Sequence, residues 1–282
     1  MKPDQMFDVR GKGCIVTGGA NGIGLAFAEV MGENGARVTI IDRNEEALEA
    51  TVSRLTSLGY DVRGVAIDIT DKPAVHKAFD ETTDFYGKLD VAFLNAGINS
   101  GPGFITRNIS GAPRERPPER ALENFDDARW EELIGMTLTS VFTTLKASAR
   151  NMKRQNSGKI IVTTSVAAHV NIATGQVPYA VAKAGVLHLV KHAAIELAAY
   201  GIHVNAIAPG STKTNSGNGF FNNPANAAAV ENSKNMSLLR RQAEPSELAP
   251  VMLLLSSDAS SYMTGSEVLV DGGFLLAPRL AM

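Results

Sequence analysis

Seven short apolar runs punctuate this chain: Cys14–Thr17, Arg37–Ile41, Val62–Ile67, Leu89–Leu94, Lys159–Thr164, Ile202–Ala208 and Glu267–Val270. Segments of helical length lie between them, at 23–34, 45–58, 74–86, 125–153, 179–199 and 247–255. Apolar runs this short, without strict alternation, read as strands covered on both faces. Strands that alternate with helices build a parallel α/β sheet. Right-handed crossovers then make that sheet doubly wound. The 282 residues suit one large domain, and no linker-like stretch divides 1–282 into two.

Two stretches break the rhythm. Residues 98–124 carry Pro102, Pro113, Pro117 and Pro118 with Arg107, Arg114, Arg116 and Arg120. This inserted loop is either a surface excursion or a substrate-side or subunit contact. Residues 211–236 are rich in Asn, Gly and Ser and contain Phe220 and Phe221. They follow a strand end, where ligands sit in such sheets, and read as a substrate lid.

The first strand runs into Thr17-Gly18-Gly19-Ala20-Asn21-Gly22-Ile23-Gly24, which opens a helix. Glycines there let the backbone approach a pyrophosphate, and the helix N-terminus supplies N–H groups and partial positive charge. Asp42 ends the second strand, about twenty residues further on, where a carboxylate can accept from ribose hydroxyls. It would repel a 2′-phosphate, so the reading is NAD over NADP, although the adjacent Arg43 could pair with such a phosphate. Asp68, ending the third strand, reads as an acceptor for an adenine amino group or as a simple turn aspartate.

Tyr179 and Lys183 stand four apart in a helical segment and share one face. An ammonium beside a phenol favours the phenolate and lowers its pKa. Such a tyrosine can exchange a proton near neutrality, and beside a hydride carrier that is the chemistry of alcohol and ketone interconversion. Ser165 lies fourteen residues upstream of Tyr179.

The formal net charge is −2, which offers no footprint for nucleic acid or a membrane surface. The first ten residues have no apolar signal core and no run reaches about 18 residues, so the expected location is cytoplasmic. The single cysteine, Cys14, reads as a buried hydrophobe and leaves no intrachain disulfide or thiolate metal cluster; no metal is expected.

These motifs in order, together with Asn95-Ala96-Gly97, Asn205 through Pro209-Gly210 and Asp271-Gly272-Gly273, resemble the short-chain dehydrogenase/reductase family over nearly the whole chain. The resemblance implies a single-domain, seven-stranded Rossmann-like fold. It implies Tyr179 as acid/base, Ser165 orienting the substrate oxygen, and Lys183 binding the nicotinamide ribose. Cofactor contacts are implied at Gly18, Asn21, Gly22, Ile23 and Gly24; at Asp42, Arg43, Asp68 and Ile69; at Asn95, Ala96 and Gly97; and at Pro209, Gly210, Thr212 and Thr214. The substrate would be a small secondary alcohol or ketone, with His169, Val170 and Ile172 as apolar neighbours of its pocket. The implied assembly is a homotetramer or a dimer. The stripe Val186, Leu189, Val190 and Ala193 is either that contact or core facing the sheet.

One position departs from the family. Seven residues after Trp130, where relatives carry an Asn that holds a relay water, this chain has Thr137. Its hydroxyl either holds that water or is satisfied by its own helix. The second option leaves room for an alternative function, a nicotinamide-binding sensor or scaffold with little activity.

Overall fold

All seven strands pair side by side and parallel, in the order β3-β2-β1-β4-β5-β6-β7. They are β1 Gly13–Thr17, β2 Arg37–Asp42, β3 Asp61–Ala66, β4 Val91–Leu94, β5 Gly158–Thr163, β6 Ile202–Pro209 and β7 Glu267–Val270. The computed structural model describes residues 2–97, 122–170, 177–214 and 227–277. The helices are α1 Pro3–Met6, α2 Gly22–Glu33, α3 Glu45–Ser57, α4 Lys72–Tyr86, α5 Asp127–Ile134, α6 Ser140–Gln155, α7 Val177–Leu197, α8 Ala227–Asn235 and α9 Ala249–Ser256. Most of loop 98–124, Ile172, and the lid segment with Phe220 and Phe221 lie outside the described residues. The rest of the lid holds α8, a helix its polar composition did not announce.

Local chemistry explains the boundaries. Asn44 and Asp71 accept from the third N–H of α3 and α4, at 3.0 and 3.1 Å, which satisfies donors that a helix start leaves open. Gly87 ends α4 in the left-handed region, φ 78°, where a side chain is strained.

The core has one layer on each face of the sheet. Phe27, Met31 and Phe93 lie in one, with the rings of Phe27 and Phe93 stacked at 4.4 Å. Phe79, Leu145, Val186 and Val190 lie in the other. Edge strand β3 departs from the two-face burial expected, because its outer side faces solvent. Val186, Val190 and Ala193 are buried against the sheet with Leu189 packed beside them, so that stripe is core. The exposed side of α7 carries Val181 and Ile195 instead.

The helix expected over 125–153 is real but interrupted. Between α5 and α6 the backbone widens into a π turn over Gly135–Thr139, the kind of irregularity frequent at functional sites. No helix among the described residues is long and apolar enough to cross a membrane.

Candidate active site

The β1–α2 turn is held from beneath rather than by its own helix. Gly18 and Gly22 adopt φ 66° and 57°, open to glycine at little strain. Asn95 fastens the turn: its Nδ2 donates to the carbonyls of Thr17 at 3.3 Å and Gly18 at 3.2 Å. Its Oδ1 accepts from the Thr163 hydroxyl at 3.1 Å. The Thr17 hydroxyl oxygen accepts from the N–H groups of Asn95 and Ala96. One amide thus ties β1, β4 and β5 together at their C-terminal ends, where ligands bind in such sheets. Asn95 works as a strut for the pocket. Thr163 was not singled out in the sequence and Thr17 only as the start of the glycine motif; each closes an apolar strand, the one signal that could have shown their role.

The groove fits a dinucleotide. The Asn21 side chain makes no cap hydrogen bond to α2, and Ile23 is partly exposed just inside the helix, so the helix start is open to an anion. A Cβ at Gly22 would press on the Thr214 methyl at 3.1 Å, which places the segment after β6 across the turn. Pro209 closes β6. Gly210 packs so tightly on Asp271 that a Cβ would meet its Cα at 2.7 Å. The Thr212 hydroxyl donates to the Gly210 carbonyl.

On the adenosine side, the predicted residues already pack or hydrogen-bond within the chain. Both Asp42 oxygens already accept, Oδ2 from the Ala20 N–H at 3.1 Å and Oδ1 from the Asn44 N–H at 3.0 Å, so the residue braces the turn while keeping outward lone pairs. Asp68 Oδ1 accepts from both the N–H and hydroxyl of Thr70 at 2.8 Å, a turn aspartate, and Asp68 pairs loosely with the exposed Arg43 at 3.9 Å. The side chain of Ile69 is buried in the core, which leaves only its backbone to face a ligand.

The reaction side gathers at the start of α7. Lys183 is buried, and its Nζ donates to the Thr163 carbonyl at 2.6 Å. It lies 5.6 Å from the centre of the Tyr179 ring. Burial lowers its ammonium to about 8. Burial pushes the Tyr179 phenol up, and the hydrogen bond with Ser165 pulls it back. The ammonium bonds to the carbonyl ending β5 rather than to the phenol, and the phenol bonds to the serine. A Cβ at Gly97 would lie 3.9 Å from both Lys183 Nζ and the Thr137 methyl. Thr137 is therefore part of this cluster, fully buried and presented by the π turn.

His169 is not an apolar pocket neighbour. Its Nε2 meets Glu267 Oε2 at 2.5 Å, a pairing that sequence separation concealed.

A doubly wound parallel sheet with an open glycine turn beside a Ser, Tyr and Lys cluster defines a nicotinamide-dependent oxidoreductase site. Comparison with known proteins agrees: the Enoyl-(Acyl carrier protein) reductase family model matches residues 18–275. A 3-oxoacyl-acyl-carrier-protein reductase of Chlamydia pneumoniae is 35% identical over 263 residues, 93% of this chain and 96% of that protein. A cis-4-hydroxycyclohexanecarboxylate dehydrogenase of Sinomonas cyclohexanicum is 35% identical over 260 residues, 92% and 95% of the two chains. The structure of a gluconate 5-dehydrogenase from Burkholderia cenocepacia in complex with NADP and tartrate superposes with a TM-score of 0.83 at 29% identity, covering 98% and 100%. The chain belongs to the short-chain dehydrogenase/reductase family and is an NAD(P)-dependent oxidoreductase.

Proposed function

We propose that this single-domain protein interconverts a secondary alcohol and a ketone, with NAD as its cofactor and Tyr179 as acid/base. The observation that carries the reading is the convergence of Tyr179, Ser165 and Lys183 next to Gly97 and the β1–α2 turn. A bound nicotinamide supplies the hydride acceptor or donor. The chain's own residues handle the substrate oxygen and its proton. Ser165 and Tyr179 orient that oxygen. In reduction the phenol gives its proton to the oxygen as the carbonyl carbon is reduced; in oxidation the phenolate takes the hydroxyl proton. Burial raises the phenol, which favours the protonated form that reduction requires. The Lys183 ammonium stabilises the phenolate left behind and stands ready for the cofactor's ribose.

The NAD reading rests on Asp42, whose carboxylate would repel a 2′-phosphate. The Burkholderia structure carries NADP, and the exposed Arg43 is the group here that could favour the same choice. The exposed apolar residues Phe142, Val181 and Ile195 on α6 and α7 support a homotetramer or dimer, which light scattering would test. A low-activity binding protein is the second reading, and Thr137 in place of an amide is what favours it.

The test is absorbance of reduced nicotinamide when the protein meets NAD⁺ or NADP⁺ with cyclic, aromatic and aliphatic secondary alcohols. Tyr179→Phe should abolish the signal while NADH binding persists. A variant that keeps its rate would reject Tyr179 as acid/base.

A further inference from the structure

Ser165 opens a tight turn, Val166–Ala168, that β5 delivers and that leads on toward α7. Inside the turn the serine oxygen accepts from the Ala167 N–H at 3.1 Å, and the Ser165 carbonyl accepts from the Ala168 N–H at 2.9 Å. These bonds shape the turn but do not anchor it to the sheet. Both ends are gripped by one carboxylate from elsewhere. At the near end the Thr164 hydroxyl meets Glu267 Oε1 at 2.5 Å. At the far end His169 Nε2 meets Glu267 Oε2 at 2.5 Å. Glu267 begins edge strand β7, a hundred residues away in sequence, yet its side chain is only 10% exposed. The Thr164 N–H also pairs with the Ile207 carbonyl at 2.9 Å, so the near end is pinned by β6 and β7 together.

We propose that Glu267, with His169, is a positioning device for Ser165: the carboxylate spans the turn and sets where the serine hydroxyl stands relative to Tyr179. The inference rests on the reading of Ser165 as the partner of the Tyr179 phenol. A carboxylate suits the task because it accepts at both oxygens at once, and charge-assisted bonds of this kind are short and directional. Neither Glu267 nor His169 needs to touch substrate or cofactor.

The experiment uses the full chain without cofactor, labelled with ¹³Cζ-tyrosine, with the Tyr179 resonance assigned by its loss in Tyr179→Phe. Ser165→Ala should move that resonance. Glu267→Ala should move it in the same direction, and Ser165→Ala/Glu267→Ala should move it no further than Ser165→Ala alone, because residues acting as one unit are not additive. Glu267→Gln, which keeps an acceptor for Thr164, should restore most of the wild-type position. If Glu267→Ala fails to fold, His169→Ala releases only the far end and carries the same expectation. For whichever alcohol the wild type oxidises, kcat/KM of Glu267→Ala should fall about tenfold or more with NADH affinity unchanged. A Tyr179 resonance unmoved by Glu267→Ala and His169→Ala but moved by Ser165→Ala overturns the proposal. Shifts that sum in the double variant overturn it as well. A resonance unmoved by Ser165→Ala instead overturns the Ser165–Tyr179 contact itself.

Discussion

Gly24 sits in the first turn of α2, and its replacement by alanine tests how the cofactor groove is built. A Cβ there would lie 2.1 Å from the Gly18 carbonyl oxygen and 2.8 Å from Asn95 Nδ2. Carbon and oxygen normally approach to about 3.3 Å, so the turn must yield by about 1 Å. Overpacking of this kind costs about 1–3 kcal/mol. The displaced atoms are also the two ends of the Asn95–Gly18 bond, which contributes about 1 kcal/mol more. Together these give about 3 kcal/mol, a loss of about 6–12 °C in melting temperature for a chain of this size. NADH affinity, followed by the cofactor's fluorescence, should fall at least tenfold, equivalent to about 1.4 kcal/mol. Gly11→Ala is the control. Gly11 has φ 69° with open space around it, so alanine there should cost about 1–2 kcal/mol of backbone strain and leave affinity alone. A Gly24→Ala protein that melts within about 2 °C of wild type and binds NADH normally would refute the packing argument.

Further expectations concern cofactor choice and pH. Asp42→Ala should narrow the NAD/NADP preference and also loosen the Ala20 and Asn44 N–H groups; an unchanged kcat/KM ratio for the two cofactors would reject the repulsion argument. Burial, reinforced by Lys12, lowers the Lys159 amine from 10.5 to about 8. Between those values the unfolded chain binds more protons than the folded one, so stability should rise as pH climbs through that window. Lys183 acts with the same sign. Lys159→Met should flatten the rise seen in melting temperature, and a slope identical to wild type would show that Lys159 does not titrate in that range.

Much of the architecture was legible in the chain because burial imposes it locally. A strand buried on both faces must be apolar throughout, so β1, β2, β4, β5 and β6 announced themselves. Glu267–Val270 was readable to the residue. Strands β3 and β5 each start and end one residue earlier than read, because ladder pairing rather than apolar character sets where a strand ends. The polar α8 carried no such signal at all, and the π turn at Thr137 is invisible to a helical pattern that continues on both sides of it.

The site divides along the same line. Glycines at 18, 22 and 24 and the Tyr179–Lys183 spacing follow from short-range geometry, which a sequence states directly. The partner of each polar group does not. Asn95 reaches the Gly18 carbonyl across 77 residues, and Glu267 reaches His169 across 98. Lys183 bonds to Thr163, twenty residues back, rather than to the neighbouring phenol. Hydrogen bonds are short-ranged and indifferent to chain separation, so the sequence determined which chemistry the chain can hold, and only the folded sheet decided which donor meets which acceptor.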